Sequence, residues 1–241
     1  MIKKTIISSM QRHDIINKLN GKNNVGIELG VAEGFYSFKM MESKKFIKFY
    51  GVDSYSEFQH NDKEYNKAKN YLSVFKNYQL IREKFDNALN LFKDEYFDFV
   101  YIDGFAHTGN NGGETMFSWF KKVKIGGILS GDDYHEDWPL VVNVVNEFIN
   151  QTKFELFLTG KKDQDPYSQY PSWFVIKERE IDLVLPKLFK TQGKIKHFEE
   201  IEKRHKGLIK FNFKVFLYSF LEKILPSRLF LFLKSIYKKI F

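Results

Sequence analysis

Three features of this 241-residue sequence predict a doubly wound α/β fold built on one mostly parallel sheet. A strand–turn–helix segment stands at Asn24–Ser37. Beyond it, short apolar runs alternate with helical patterns, the arrangement that closes parallel strands through right-handed crossovers. Acids then recur at or just after the predicted strand ends (Glu28, Asp53, Asp86, Asp103, Asp132 and Asp133), the rim at which such sheets bind ligands. The expected sheet has seven strands, with a late hairpin that gives one antiparallel edge strand. A helical C-terminal tail follows.

In chain order, Ser9–Asn20 reads as an entry helix with Ile15, Ile16 and Leu19 on one face. Val25, Ile27 and Leu29 make a short buried strand, and a helical pattern runs from Phe35 to Ser43. Gly30 and Gly34 stand at the turn between them, where glycine permits a tight bend and a close backbone approach. Phe46–Asp53 is the second strand and ends in an acid. A helix over Lys63–Phe75, a strand at Tyr78–Arg82 and a short helix from Phe85 follow. Phe97–Asp103 is the fourth strand. A glycine-rich turn over 108–113 leads to a helix through Trp119 and Phe120, and Gly126–Tyr134 is the fifth strand. Pro139 suits the first turn of a helix carrying Val141, Val142, Val145 and Phe148. Phe154–Leu158 and Trp173–Ile176 complete the sheet.

Composition narrows the chemistry. There is no cysteine, hence no disulfide framework, thiolate metal site or thiol nucleophile. Polar residues interrupt the N-terminus before any long apolar stretch, so no signal peptide is read and a cytoplasmic enzyme is expected. The net charge of +8 is uneven. Residues 179–241 hold 15 Lys and Arg against 6 Asp and Glu, whereas residues 1–178 hold 23 against 24. A near-neutral body with a basic tail argues against a nucleic-acid groove in the body. The expected domains are therefore 1–178 and a basic extension, 179–241.

The turn after the first strand is neither a Gly-x-Gly-x-x-Gly dinucleotide loop nor a Gly-Lys-Ser/Thr phosphate loop. An acid with few exposed phosphate-binding amides suits a cationic, phosphate-free cofactor. The carboxylates along the rim would repel one another unless a cation or hydrogen-bond donors sit among them.

Glu28-Leu-Gly-Val-Ala-Glu-Gly34, Phe99-Val-Tyr-Ile-Asp-Gly104 and Gly126-Gly-Ile-Leu-Ser-Gly-Asp-Asp-Tyr134 occur in that order. Together they resemble the class I S-adenosylmethionine-dependent methyltransferases. The nearest resemblance is to the family of macrocin O-methyltransferases and cephalosporin-hydroxylase-like proteins, over Val25 to Phe148. The resemblance implies a Rossmann-like domain in which Glu28, Gly30 and Gly34 border the methionine part of the cofactor, with Phe35 also at the cofactor site. Asp53, with Ser54 beside it, would accept hydrogen bonds from both ribose hydroxyls. Asp86 and Asn87 would lie near the adenine, although Asp86 also reads as a helix N-cap. Asp103 and Gly104 would close the site. Asp103, Asp132 and Asp133 match positions that hold a divalent cation in metal-dependent relatives, and their oxygens suit magnesium. His107 and His135 are the alternative bases for an acceptor hydroxyl, with Asp103 beside them. His107 stands four residues after Asp103, where many relatives have three.

The expected function is O-methylation of a sugar hydroxyl in a surface glycan or its nucleotide-sugar precursor, with Phe105, Tyr134, Trp138 and Tyr170 as acceptor-pocket or core aromatics. The alternatives are a hydroxylase-like relative and an inactive membrane- or RNA-associated binding protein on the same fold. In the tail, Leu229, Leu233, Ile236, Tyr237 and Ile240 form an apolar stripe beyond Pro226, with Lys234 and Lys238 on another face. Such a stripe suits peripheral contact with an anionic membrane, or docking on the body or on a second copy.

Overall fold

The computed structural model describes residues 2–56, 60–104, 113–160, 169–192 and 195. The chain divides into two compact units, Met1–Lys194 and Ile195–Phe241. The first is the one described below. The tail helices expected beyond Gly207 lie outside the described residues.

Eight strands form one sheet: β1 (Lys4–Ile7), β2 (Asn24–Leu29), β3 (Phe46–Asp53), β4 (Tyr78–Arg82), β5 (Phe97–Ile102), β6 (Val123–Gly131), β7 (Leu156–Thr159) and β8 (Trp173–Ile176). Their spatial order is β1-β7-β8-β6-β5-β2-β3-β4. All neighbours are parallel except β8, which runs antiparallel to both β6 and β7. The order reverses between β2 and β5, which pair directly, so a switch point opens at their carboxyl ends.

The doubly wound, mostly parallel fold is as the sequence predicts, with two differences. The sheet has eight strands rather than seven, because Lys4–Ile7 pairs along β7. The antiparallel strand is internal, two strands in from the β1 edge. Strand β1 escapes sequence reading because it is four residues long and lies at an edge, with Ile6 68% exposed.

Period-two alternation builds the core. In β5, Val100 and Ile102 enter one apolar layer with Trp119, Phe148 and Leu129, while Phe99 and Tyr101 enter the other with Ile15, Met40 and Phe49. Helices α1 (Phe35–Glu42), α2 (Asp62–Leu72), α3 (Phe85–Ala88), α4 (Glu114–Trp119) and α5 (Pro139–Thr152) cover the sheet. Pro139 stands in the first turn of α5. The entry segment is a 3-10 helix, Arg12–Lys18, with Ile15 and Ile16 buried. Ile181, Leu183, Leu185 and Phe189 pack against the first layer. No helix among the described residues is long and apolar enough to cross a membrane.

Candidate active site

The β2–α1 turn is held by its glycines and by one acid. Gly30 and Gly34 have φ of +101° and +91°, and Gly34 is the N-cap of α1. Asp53, at the end of β3, accepts the N–H groups of Val31 (3.0 Å) and Ala32 (3.1 Å) on Oδ2 and that of Tyr55 (3.0 Å) on Oδ1. Tyr55, buried under α2, donates its hydroxyl to the Ala32 carbonyl at 2.8 Å. Two turn amides that would bind a phosphate are therefore committed to a carboxylate, and the turn fits a phosphate-free cofactor such as S-adenosylmethionine. A carboxylate has about four acceptor positions, so three amides leave Asp53 room for one further donor rather than for two ribose hydroxyls.

Glu28 does not line the cleft surface. It is buried, and Ser37 of α1 donates to its Oε2; the same hydroxyl lies 3.1 Å from that of Tyr78. Burial, with the negative charge of Asp103 adding to it, pushes the Glu28 carboxyl well above the usual carboxylate range. Phe35 is partly exposed at the start of α1, edge-on to Tyr71. Ser54 accepts a hydrogen bond from Ser56, and Gly104 packs so closely on Phe85 that a Cβ would meet the ring at 2.5 Å. Asp86 and Asn87 are exposed on α3, where Asn87 donates to Glu83. Lys84, not Asp86, is the N-cap of that helix.

At the ends of β5 and β6 the sequence reading missed the decisive residue. Arg12, 2% exposed, reaches in from the 3-10 helix, and its Nη1 donates to Asp103 Oδ2 at 3.0 Å and to Asp132 Oδ2 at 3.3 Å. Its guanidinium lies over the ring of Tyr36, 5.1 Å from the centroid, and that ring stacks on Tyr101. Ser172 donates to the other oxygen of Asp132 at 2.8 Å and lies 2.9 Å from the Tyr101 hydroxyl. Helical spacing could have revealed Arg12, since it precedes Ile15, Ile16 and Leu19 by three, four and seven residues.

The magnesium ion expected on Asp103, Asp132 and Asp133 does not fit this arrangement, because a guanidinium already bridges the first two carboxylates. Among the described residues no three His, Cys, Asp or Glu side chains are grouped to hold a metal. Burial pushes Asp132 up to about 7, with Asp103 adding to it and Arg12 opposing. Burial, followed by the charge of Asp132, also pushes Asp133 up to about 7. Asp133 adopts a φ of +61° at the turn after β6.

Beyond that turn, the His135 ring lies against that of Tyr170, with centroids 4.7 Å apart. Tyr170 donates to Asp137 Oδ2 at 2.8 Å, and the same carboxylate is 3.4 Å from His135 Nδ1. Trp138 packs half-buried on the core, whereas Tyr134 is a core residue that donates to Asn146. His107 and Phe105 lie outside the described residues.

Residues 27–134 match the family model described as a methyltransferase domain. No curated protein matches the sequence significantly. Solved structures of similar fold include a Staphylococcus aureus protein assigned as a caffeoyl-CoA O-methyltransferase, 14% identical at a TM-score of 0.51 over 68% of this chain and 80% of its own. Cofactor-bound Rv0187 from MTB is 10% identical at 0.51, over 65% and 74%. A protein of Clostridium thermocellum assigned as an rRNA methylase is 16% identical at 0.51, over 75% and 99%. These likenesses establish the fold. The matched segment, which runs from within β2 to the acids beyond β6, is a class I S-adenosylmethionine-dependent methyltransferase domain, and as an enzyme the chain is a methyltransferase.

Proposed function

We propose that the methyl group is transferred to oxygen, the acceptor being a sugar hydroxyl of a surface glycan or its nucleotide-sugar precursor. The observation that carries this reading is the His135–Tyr170 pair with Asp137 beside it, at the turn after β6. A flat aromatic face flanked by carboxylates suits a sugar ring, whose C–H face stacks while its hydroxyls donate. Bound S-adenosylmethionine supplies a methyl carbon on a sulfonium, open to in-line displacement. The chain's own part is to hold the hydroxyl in line and to accept its proton. His135 is the base in this reading. In the neutral ring Nδ1 accepts the Asp137 N–H at 3.2 Å, and the Asp137 carboxylate, 3.4 Å from the same nitrogen, stabilises the imidazolium that results.

The test is incubation of the purified protein with methyl-labelled cofactor and a panel of nucleotide sugars and glycans. Label should appear on a sugar oxygen. Tyr170→Ala should raise the acceptor KM, and His135→Ala should lower kcat by about 10²–10⁴. Transfer to nitrogen or carbon acceptors instead, or full activity in His135→Ala, would overturn the reading.

A further inference from the structure

The Arg12 bridge has three properties that an ordinary surface ion pair lacks. It is buried, it joins acids from two neighbouring strands, and it sits where those strands end at the switch point. Its position is fixed from every side. Tyr36 lies beneath the guanidinium, and Ser172 holds the far oxygen of Asp132. Of the two acids, Asp132 is 1% exposed and Asp103 is 26% exposed. With both acids ionised, two carboxylates and one guanidinium leave a single negative charge, and Asp103 is the member that reaches solvent.

The source of the cation also matters. Arg12 precedes the matched methyltransferase segment, 27–134, yet both of its acids lie within that segment. The cation on these two acids thus comes from the N-terminal arm, outside that segment.

We propose that Arg12 is the resident cation of the active site, taking the place of a divalent ion, and that it positions the Asp103 carboxylate for cofactor binding without any metal. This rests on the assignment of the site to S-adenosylmethionine and is independent of which acceptor is used. A magnesium ion would bring two positive charges and require carboxylate oxygens that Arg12 already engages. The guanidinium brings one charge, and its Nη1 alone donates to both carboxylates. The site keeps its negative charge and with it an attraction for a cationic cofactor.

The experiment uses the full-length protein and needs no acceptor. Manganese binding is followed by paramagnetic resonance, and S-adenosylhomocysteine and S-adenosylmethionine binding by calorimetry, with and without excess chelator. The wild type should leave equimolar manganese free and bind both nucleosides equally well in chelator. Arg12→Met should weaken S-adenosylmethionine binding at least tenfold, and Arg12→Lys should recover part of the loss. Should Arg12→Met fail to fold, Arg12→Met/Asp132→Asn removes both buried charges and is compared with Asp132→Asn alone, the same tenfold loss being expected. Stoichiometric manganese in the wild type that is lost in Asp103→Asn would overturn the proposal. So would wild-type cofactor affinity in either Arg12→Met background. A wrong acceptor class would leave all these readouts unchanged.

Discussion

Gly30 lies directly against the main chain of Asp103: a Cβ at Gly30 would stand 2.0 Å from the Asp103 carbonyl oxygen and 2.5 Å from its carbonyl carbon. The contact accompanies the hydrogen bond from the Asp103 N–H to the Leu29 carbonyl, 2.8 Å long, which ties the ends of β2 and β5 together. Because the obstructing atoms are backbone, no side-chain rotation relieves the clash. The φ of +101° adds strain for any residue with a Cβ. Gly30→Ala should therefore destabilise the fold by about 3 kcal/mol or more and sharply weaken cofactor binding in the fraction that folds. Urea unfolding with parallel calorimetry checks both; a wild-type melt would show that the two strand ends can part freely.

Asp53 is a structural staple as well as a ligand candidate. Asp53→Ala deprives the amides of Val31, Ala32 and Tyr55 of their acceptor. The expected cost is about 2–4 kcal/mol of stability, together with at least tenfold in S-adenosylmethionine affinity. Weakened binding with an unchanged melt would mean that the carboxylate serves only the ribose.

Glu28 predicts a pH dependence. Its carboxyl is raised by burial, so the folded chain binds that proton more tightly than the unfolded chain does. The stability it contributes is fully present below the unfolded carboxylate value, about 4.3, and is lost as pH rises through the folded value. Relative to Glu28→Gln, which keeps an acceptor for Ser37, the wild type should lose stability as pH rises above about 4, by at most about 1.4 kcal/mol per unit. Unfolding free energies across a pH series measure this. A wild type that gains on the variant with rising pH would place an ionised Glu28 in the fold.

Ser172 links the Tyr101 phenol to Asp132. Ser172→Ala should cost about 1–3 kcal/mol, since it leaves buried polar groups short of partners. Adding Tyr101→Phe should cost less than the sum of the two single changes, because the two residues share one network. Strict additivity in urea unfolding would mean that the hydroxyls act separately.

The parts of the protein legible in its sequence are those fixed by local pattern. Strands β2, β3 and β5 carry apolar runs with acids at or next to their ends, so the rim of the sheet could be placed from local pattern alone. Position along the rim did not reveal partnership. Arg12 is a charged residue whose acids follow 91 and 120 residues later, and only the folded sheet brings them together. The same limit applies to Asp53, whose ligands are turn amides that carry no sequence signature. Asp86 looked like a cap because asparagine, aspartate and serine favour that position; the N-cap of α3 lies two residues earlier, at Lys84. The eighth strand stayed hidden because edge pairing needs little apolar sequence.

Strand β1 is made well before its partner. Thr5 donates to Glu155, 150 residues further on, and among the described strands β1 pairs with β7 alone. At roughly 5–20 residues per second of synthesis, about 8–30 s separate the two. Through that interval β1 lacks the strand it pairs with, although Arg12 on the same arm is already made when Asp103 and Asp132 emerge. The arm that supplies the cation is thus synthesised well before both the acids it joins and the strand it pairs with.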